Sequence, residues 1–139
     1  VTGSRHAEPP AAIAIGVGCR KGCQSGEIVA LVSRALAAAS CAGLPAGLFT
    51  HEAKRDEGGL TDAAKALGIP LRFLDSETLR QAAPRAATAS ARIMTLYGVP
   101  SLSEAAALAG AGPSSVLLLA RISSQAASCA IAGTRKAEE

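Results

Sequence analysis

The 139-residue chain is predicted to be α/β, a single three-layer α/β/α-like domain. Its sheet is expected to hold about five strands, mostly parallel, with an antiparallel C-terminal edge strand. Three observations predict this. Short apolar runs alternate with stretches whose apolar residues recur at i, i+3 and i+4. The helical stretches are bounded by caps or by glycine and proline stops. The last two apolar runs, 116–120 and 127–132, are parted only by a polar turn over Ser123 to Gln125, as in a hairpin. The length allows one core and not two. Aromatics are confined to Phe49, Phe73 and Tyr97, so the core must be built of Ile, Leu, Val and Ala, which suits close helix-on-sheet packing.

Residues 12–17 form a run that is apolar on both faces, hence a central strand. A helix over 25–40 follows, with Ile28, Leu31, Val32, Ala35, Leu36 and Ala39 as its buried stripe. Ser25 is its expected N-cap, and Glu27 complements the dipole in the first turn. Residues 44–49 make strand two, with Pro45 near its start, and 51–59 a charged loop. Residues 60–67 are a short helix stopped by Gly68 and Pro70. Strand three covers 71–74, and Asp75 opens a helix that ends before Pro84. Residues 88–97 read either as a helical turn or as a loop ending at Gly98, and a lid role for them is left open. Ser101-Leu-Ser-Glu104 matches a capping box for a helix over 102–109. Residues 1–10 are expected to be a flexible leader, 11–133 the domain and 134–139 a polar tail.

Composition excludes several functions. A net charge of +3 is spread along the chain, without a Lys/Arg block or an aromatic platform, so no nucleic-acid partner is expected. The apolar runs are far shorter than a bilayer span, and the start lacks the apolar core of an export signal. A cytoplasmic location and no membrane association are expected. Cys19, Cys23, Cys41 and Cys129 read as reduced thiols and not as a disulfide framework. A C-x₃-C pair without a second pair or a nearby His is a poor zinc signal, and no metal or cofactor is expected.

Ligands of such sheets sit beyond the carboxyl ends of the strands, here Gly18 to Cys23, Thr50 to Glu57 and the loop around Arg121. Gly16-Val-Gly-Cys-Arg-Lys-Gly22 places three glycines and two cations between a strand and a helix N-terminus. That arrangement suits an anion, through loop N–H groups, the helix dipole, Arg20 and Lys21. It departs from G-x-G-x-x-G because Lys21 holds the third glycine position, which counts against a dinucleotide site. Cys19 is a candidate nucleophile, its pKa lowered by the helix N-terminus and Arg20, against the more frequent outcome of a buried or half-buried inert thiol. His51, Glu52, Lys54, Asp56 and Glu57 crowd one loop, where acid, base and electrostatic roles are all available. The capping box accounts for Glu104. Arg121 either points into the same cleft or solubilises the hairpin.

The motifs at 16–22, Lys54-Arg-Asp-Glu-Gly-Gly-Leu60, Gly98-Val-Pro-Ser-Leu-Ser-Glu-Ala-Ala-Ala-Leu108 and Leu117-Leu-Leu-Ala-Arg121 together resemble the CobE/CbiG C-terminal domain family of cobalamin biosynthesis, over residues 12–132. Cys19, Arg20 and Gly22 match the first family motif, and Lys54, Asp56 and Glu57 match the second, where Ala53 replaces the usual leucine. Ala120-Arg121 stands where relatives commonly have Pro-Lys. The fusion relatives are cobalt-precorrin-5A hydrolases, whose N-terminal and central parts these 139 residues do not hold. The resemblance therefore implies a stand-alone protein of the aerobic, cobalt-late route, a monomer or homodimer that binds a precorrin or hydrogenobyrinic-acid-type corrinoid and meets other pathway enzymes. The implied ligand-binding set is Gly18, Cys19, Arg20, Lys21, Gly22, Lys54, Asp56, Glu57, Ser103 and Arg121. A binding or carrier protein is the first reading. A precorrin hydrolase or isomerase using Cys19, His51 or Glu57 is the alternative, and a non-catalytic scaffold is the third.

Overall fold

The computed structural model describes residues 12–134, so the expected leader and all of the expected tail but Thr134 lie outside the described residues, as does Ala11. Five strands form one sheet in the order β3-β2-β1-β5-β4. They are β1 (Ile13–Cys19), β2 (Ala46–His51), β3 (Leu71–Leu74), β4 (Val116–Ser123) and β5 (Ala127–Gly133). β1, β2 and β3 pair in parallel, and β5 runs antiparallel to both β1 and β4. The predicted hairpin is thus the antiparallel side of the sheet, with β4 at the rim and β5 against β1. No helix among the described residues is long and apolar enough to cross a membrane.

Every residue of β1 is buried, and the strand divides its two faces by size. Ile13, Ile15, Val17 and Cys19 enter a cluster with Ile28, Leu31, Val32 and Ala35 of α1 (Ser25–Ala38) and with Leu60, Ala63 and Ala64 of α2 (Gly58–Leu67). The opposite face carries Ala14, Gly16 and Gly18 and is covered by α5 (Leu102–Ala111). A Cβ at Gly16 would lie 1.9 Å from the Ser103 carbonyl oxygen and 2.5 Å from the Ala107 nitrogen. Small residues are needed there because the α5 backbone lies directly on the strand. Residues 102–108 of α5 are all buried, between the sheet and α3 (Ser76–Ala82). The layers are therefore α1 and α2, then the sheet, then α3 and α5.

Some local expectations need correction. β1 continues through Cys19, so Gly16 and Gly18 are strand residues and only Gly22, at φ 80°, supplies a left-handed turn. Gln24, not Ser25, is the N-cap of α1, and it makes no side-chain capping bond. The ambiguous 88–97 segment contains a helix, α4 (Ala91–Tyr97), capped by the Ser90 side chain and ended by Gly98 at φ 75°. Gly68 ends α2 as expected, with Gly68 and Ile69 N–H groups returning to Lys65 and Ala64 carbonyls.

Candidate functional site

Beyond the carboxyl end of β1 lies an open cleft of about 680 Å³. Three elements wall it. The turn after β1 contributes Arg20 and Lys21, the β4–β5 hairpin contributes Arg121 and the stretch from Ser123 to Ser128, and α4 contributes Arg92, Ile93, Leu96 and Tyr97. Lys54 and Leu102 complete the floor and sides. Among the described residues five cations (Arg20, Lys21, Lys54, Arg92 and Arg121) thus line the cleft, and no carboxylate does. A cluster of cations facing one concave site concentrates a field that attracts anions.

The positive character comes from side chains more than from the backbone cradle that the glycine pattern suggests. Gly22 N–H donates to Glu57 Oε1 at 2.9 Å, Arg20 N–H to the Ala126 carbonyl at 2.8 Å and Cys23 N–H to the Arg20 carbonyl at 3.1 Å. These donors hold the turn and are not offered to a ligand. Arg20 and Lys21 themselves are exposed. Lys54 Nζ donates to the Cys19 carbonyl at 2.7 Å, closing the end of β1 while its charge still faces the cleft.

The hairpin wall is positioned from α1. Glu27 accepts hydrogen bonds from the Ser124 hydroxyl and, at 2.7 Å, from Ala126 N–H, which hold its carboxyl below the usual range. Arg34 donates to the Ser123 carbonyl from two turns further along. Glu27 therefore acts well beyond the dipole role its first-turn position suggests.

Glu104 does something its capping-box motif conceals. Ser101 Oγ does accept from Glu104 N–H, at 3.4 Å, but the carboxylate turns away from the helix end. It is fully buried and accepts from Ala87 N–H at 2.9 Å, Thr88 N–H at 2.7 Å, Thr88 Oγ1 at 2.7 Å and Arg121 N–H at 2.9 Å. Burial opposes its ionisation, but the bonds from Arg121, Thr88 and Ala87 outweigh burial and lower its pKa. One carboxylate thereby ties α5 to the chain entering α4 and to β4 at Arg121, two walls of the cleft.

Of the three candidate catalytic groups only Cys19 lines the cleft. Burial pushes the Cys19 thiol up to about 11, against the smaller opposing effect of Lys54. The activated thiolate that a helix N-terminus and Arg20 would produce is not what this environment favours. Measured by mass spectrometry at pH 7.5, alkylation of Cys19 is expected to be about tenfold or more slower than for an exposed cysteine, because burial both raises the pKa of the thiol and restricts access to it. Reaction at the rate of an exposed cysteine would overturn this. His51 ends β2 with both ring nitrogens engaged, Nδ1 accepting from Ala53 N–H at 2.9 Å and Nε2 lying 2.8 Å from Ser76 Oγ. Its pKa is lowered chiefly by burial, and it stacks obliquely on Tyr97 instead of lining the cleft. Glu57 lies outside the lining residues, its carboxylate on Gly22.

Residues 13–132 match the family described as cobalamin synthesis G C-terminus. The chain belongs to that family. It is 35% identical over 132 residues to Protein CobE of a Sinorhizobium species, covering 93% of this chain and 86% of the relative. Among solved structures it is similar to CobE, a protein from the cobalamin (vitamin B12) biosynthetic pathway, with a TM-score of 0.83, 36% identity and 94% of each chain covered. It is also similar to the cobalamin biosynthesis protein chiG from Agrobacterium tumefaciens, with a TM-score of 0.67 and 35% identity, covering 88% of this chain and 98% of that one.

In this member of the cobalamin synthesis G C-terminus family, six of the expected ligand residues line the cleft: Gly18, Cys19, Arg20, Lys21, Lys54 and Arg121. Gly22, Asp56, Glu57 and Ser103 do not. Asp56 is exposed, and Ser103 is fully buried against β1, its hydroxyl without a partner. Sequence reasoning missed Arg92, Ile93, Leu96 and Tyr97, because a seven-residue amphipathic stretch between prolines carries too little periodicity. Their signal was indirect: a Ser90 cap, a Gly98 stop and apolar residues at i, i+3 and i+4. No cluster of three or more His, Cys, Asp or Glu suited to a metal is found among the described residues.

Proposed function

We propose that this protein serves cobalamin biosynthesis by binding, without turning over, a precorrin or hydrogenobyrinic-acid-type intermediate in the cleft beyond β1. One observation carries the reading: among the described residues, five cations and no carboxylate line a cleft of about 680 Å³. Such corrinoids are flat macrocycles rimmed by acetate and propionate groups. Guanidinium and ammonium donors set around an open cleft suit that rim through charge-assisted hydrogen bonds. The volume is in the range of small-molecule sites, about 300–1,000 Å³, and the open side leaves room for part of a larger disc to project. The pathway is the one named for the related CobE structure. A carrier role is favoured over hydrolysis or isomerisation because Cys19 is held as a thiol and both nitrogens of His51 are engaged.

The test is a visible-absorbance titration with hydrogenobyrinic acid, with gel-filtration co-elution. Wild type is expected to bind saturably, and Arg20→Ala/Lys21→Ala to bind at least tenfold more weakly, with a smaller dependence on salt. No binding at near-stoichiometric protein would overturn the reading for this ligand and favour a scaffold. Conversion of the bound corrinoid to a new species would replace the carrier by an enzyme.

A further inference from the structure

The apolar side of α4 is only partly covered among the described residues: Ile93 and Tyr97 pack in part against the cluster of Leu79, Val99 and Leu102, while Leu96 stands in solvent, and the cleft supplies the chemistry that would cover it. None of the seven residues of α4 is buried. Among the described residues the exposed large hydrophobics are Met94, Leu96 and Val116, so two of the three fall on this one short helix. Leu96 is 57% exposed although it borders a cleft. Ile93, Leu96 and Tyr97, at i, i+3 and i+4, share a side, and all three line that cleft. Solvent-facing apolar residues grouped this way mark a surface that meets something.

The helix is held in position for such a role. Ser90 N–H donates to the Pro100 carbonyl at 2.8 Å, which closes the neck of the segment. Glu104 fixes its approach at Ala87 and Thr88. Tyr97 rests on the His51 ring, with centroids 5.1 Å apart. An apolar wall is thus anchored at its base and open toward Arg20, Lys21 and Arg121.

The geometry points to α4 as the wall that recognises the flat face of a polycarboxylate macrocycle, with Leu96 as its specificity-determining residue. This rests on the cleft being the corrinoid site. The occupant must be apolar in its body and anionic at its edge, because cations without carboxylates surround an apolar strip. A small polycarboxylate would satisfy the cations and leave Leu96 and the open parts of Ile93 and Tyr97 in water. An apolar ligand would leave the cations uncompensated. A tetrapyrrole with an acidic rim answers both.

The test compares Leu96→Ser with Met94→Ser, a change on the same helix at an exposed residue outside the cleft lining. Both side chains are exposed, so both variants are expected to fold with wild-type circular dichroism and denaturation midpoints. Hydrogenobyrinic acid is expected to bind Leu96→Ser about tenfold more weakly, from the lost burial of one leucine side chain. Met94→Ser is expected to match wild type. The salt dependence of binding in Leu96→Ser should also match wild type, since no charge is removed, in contrast to Arg20→Ala/Lys21→Ala. Wild-type affinity in Leu96→Ser, or equal losses in the two serine variants, would overturn the α4 proposal while leaving the basic cleft intact. Failure of wild type to bind would instead strike the site reading beneath it.

Discussion

Replacing Glu104 by alanine is expected to destabilise the fold by about 3 kcal/mol or more, the largest effect of any single polar substitution proposed for this chain. Three backbone N–H groups and one hydroxyl lose their common acceptor, and an unmet donor shielded from water costs about 1–3 kcal/mol. Water reaching the partly buried donors offsets some of that sum. Against a total stability of about 5–15 kcal/mol for a domain, the loss is severe. Glu104→Gln retains one oxygen but turns an NH₂ toward the same donors, so an intermediate loss is expected. The pH dependence has a definite sign. The folded carboxyl titrates below its ordinary value of 4.5, so its contribution is complete above that value and disappears as the pH falls through the lower folded pKa. Urea midpoints measured from pH 7 to pH 3 are expected to fall more steeply in wild type than in Glu104→Gln. Parallel curves, or an alanine variant within about 0.5 kcal/mol of wild type, would show that Glu104 does not hold the two walls.

Gly16→Ala is expected to cost about 3 kcal/mol or more, for a different reason. The added methyl would sit 1.9 Å from the Ser103 carbonyl oxygen and 2.5 Å from the Ala107 nitrogen, both backbone atoms that cannot rotate aside. Either α5 lifts from β1 or the strand bends, and overpacking a tight core costs about 1–3 kcal/mol even where side chains can yield. Gly18→Ala supplies the contrast. Its methyl meets Ser128 Oγ at 3.0 Å and Leu102 Cδ2 at 3.5 Å, side-chain atoms able to shift, so a loss under about 1.5 kcal/mol is expected. Denaturant midpoints of the two variants decide the matter. Equal small losses would show that α5 does not press on Gly16.

The contrast between the two glycines explains how much of the site was legible in the chain. The run at 16–22 advertised a glycine loop, and its cations do line the cleft. Gly16 and Gly18, however, answer a packing demand from a helix nearly ninety residues later, which local sequence does not express. The same holds for Glu104. Its spacing from Ser101 satisfies a capping box, yet its carboxylate reaches Thr88 and Arg121, partners set by topology. The charged loop after β2 divided in space: Lys54 faces the cleft, while His51 and Glu57 bind their neighbours outside it.

By itself the sequence determined the α/β class, the core stripe of α1, the Gly68 stop of α2, the terminal hairpin and the family, because periodicity, caps and short motifs are local signals read along the chain. Only the tertiary structure decided which cations meet, that α4 presents an apolar wall to them, and that Glu27 and Glu104 hold those walls in place. Those outcomes depend on crossovers that bring residues tens of positions apart within hydrogen-bonding distance. Whether a carboxylate serves a cap, a ligand or a distant backbone is settled by which donors then surround it.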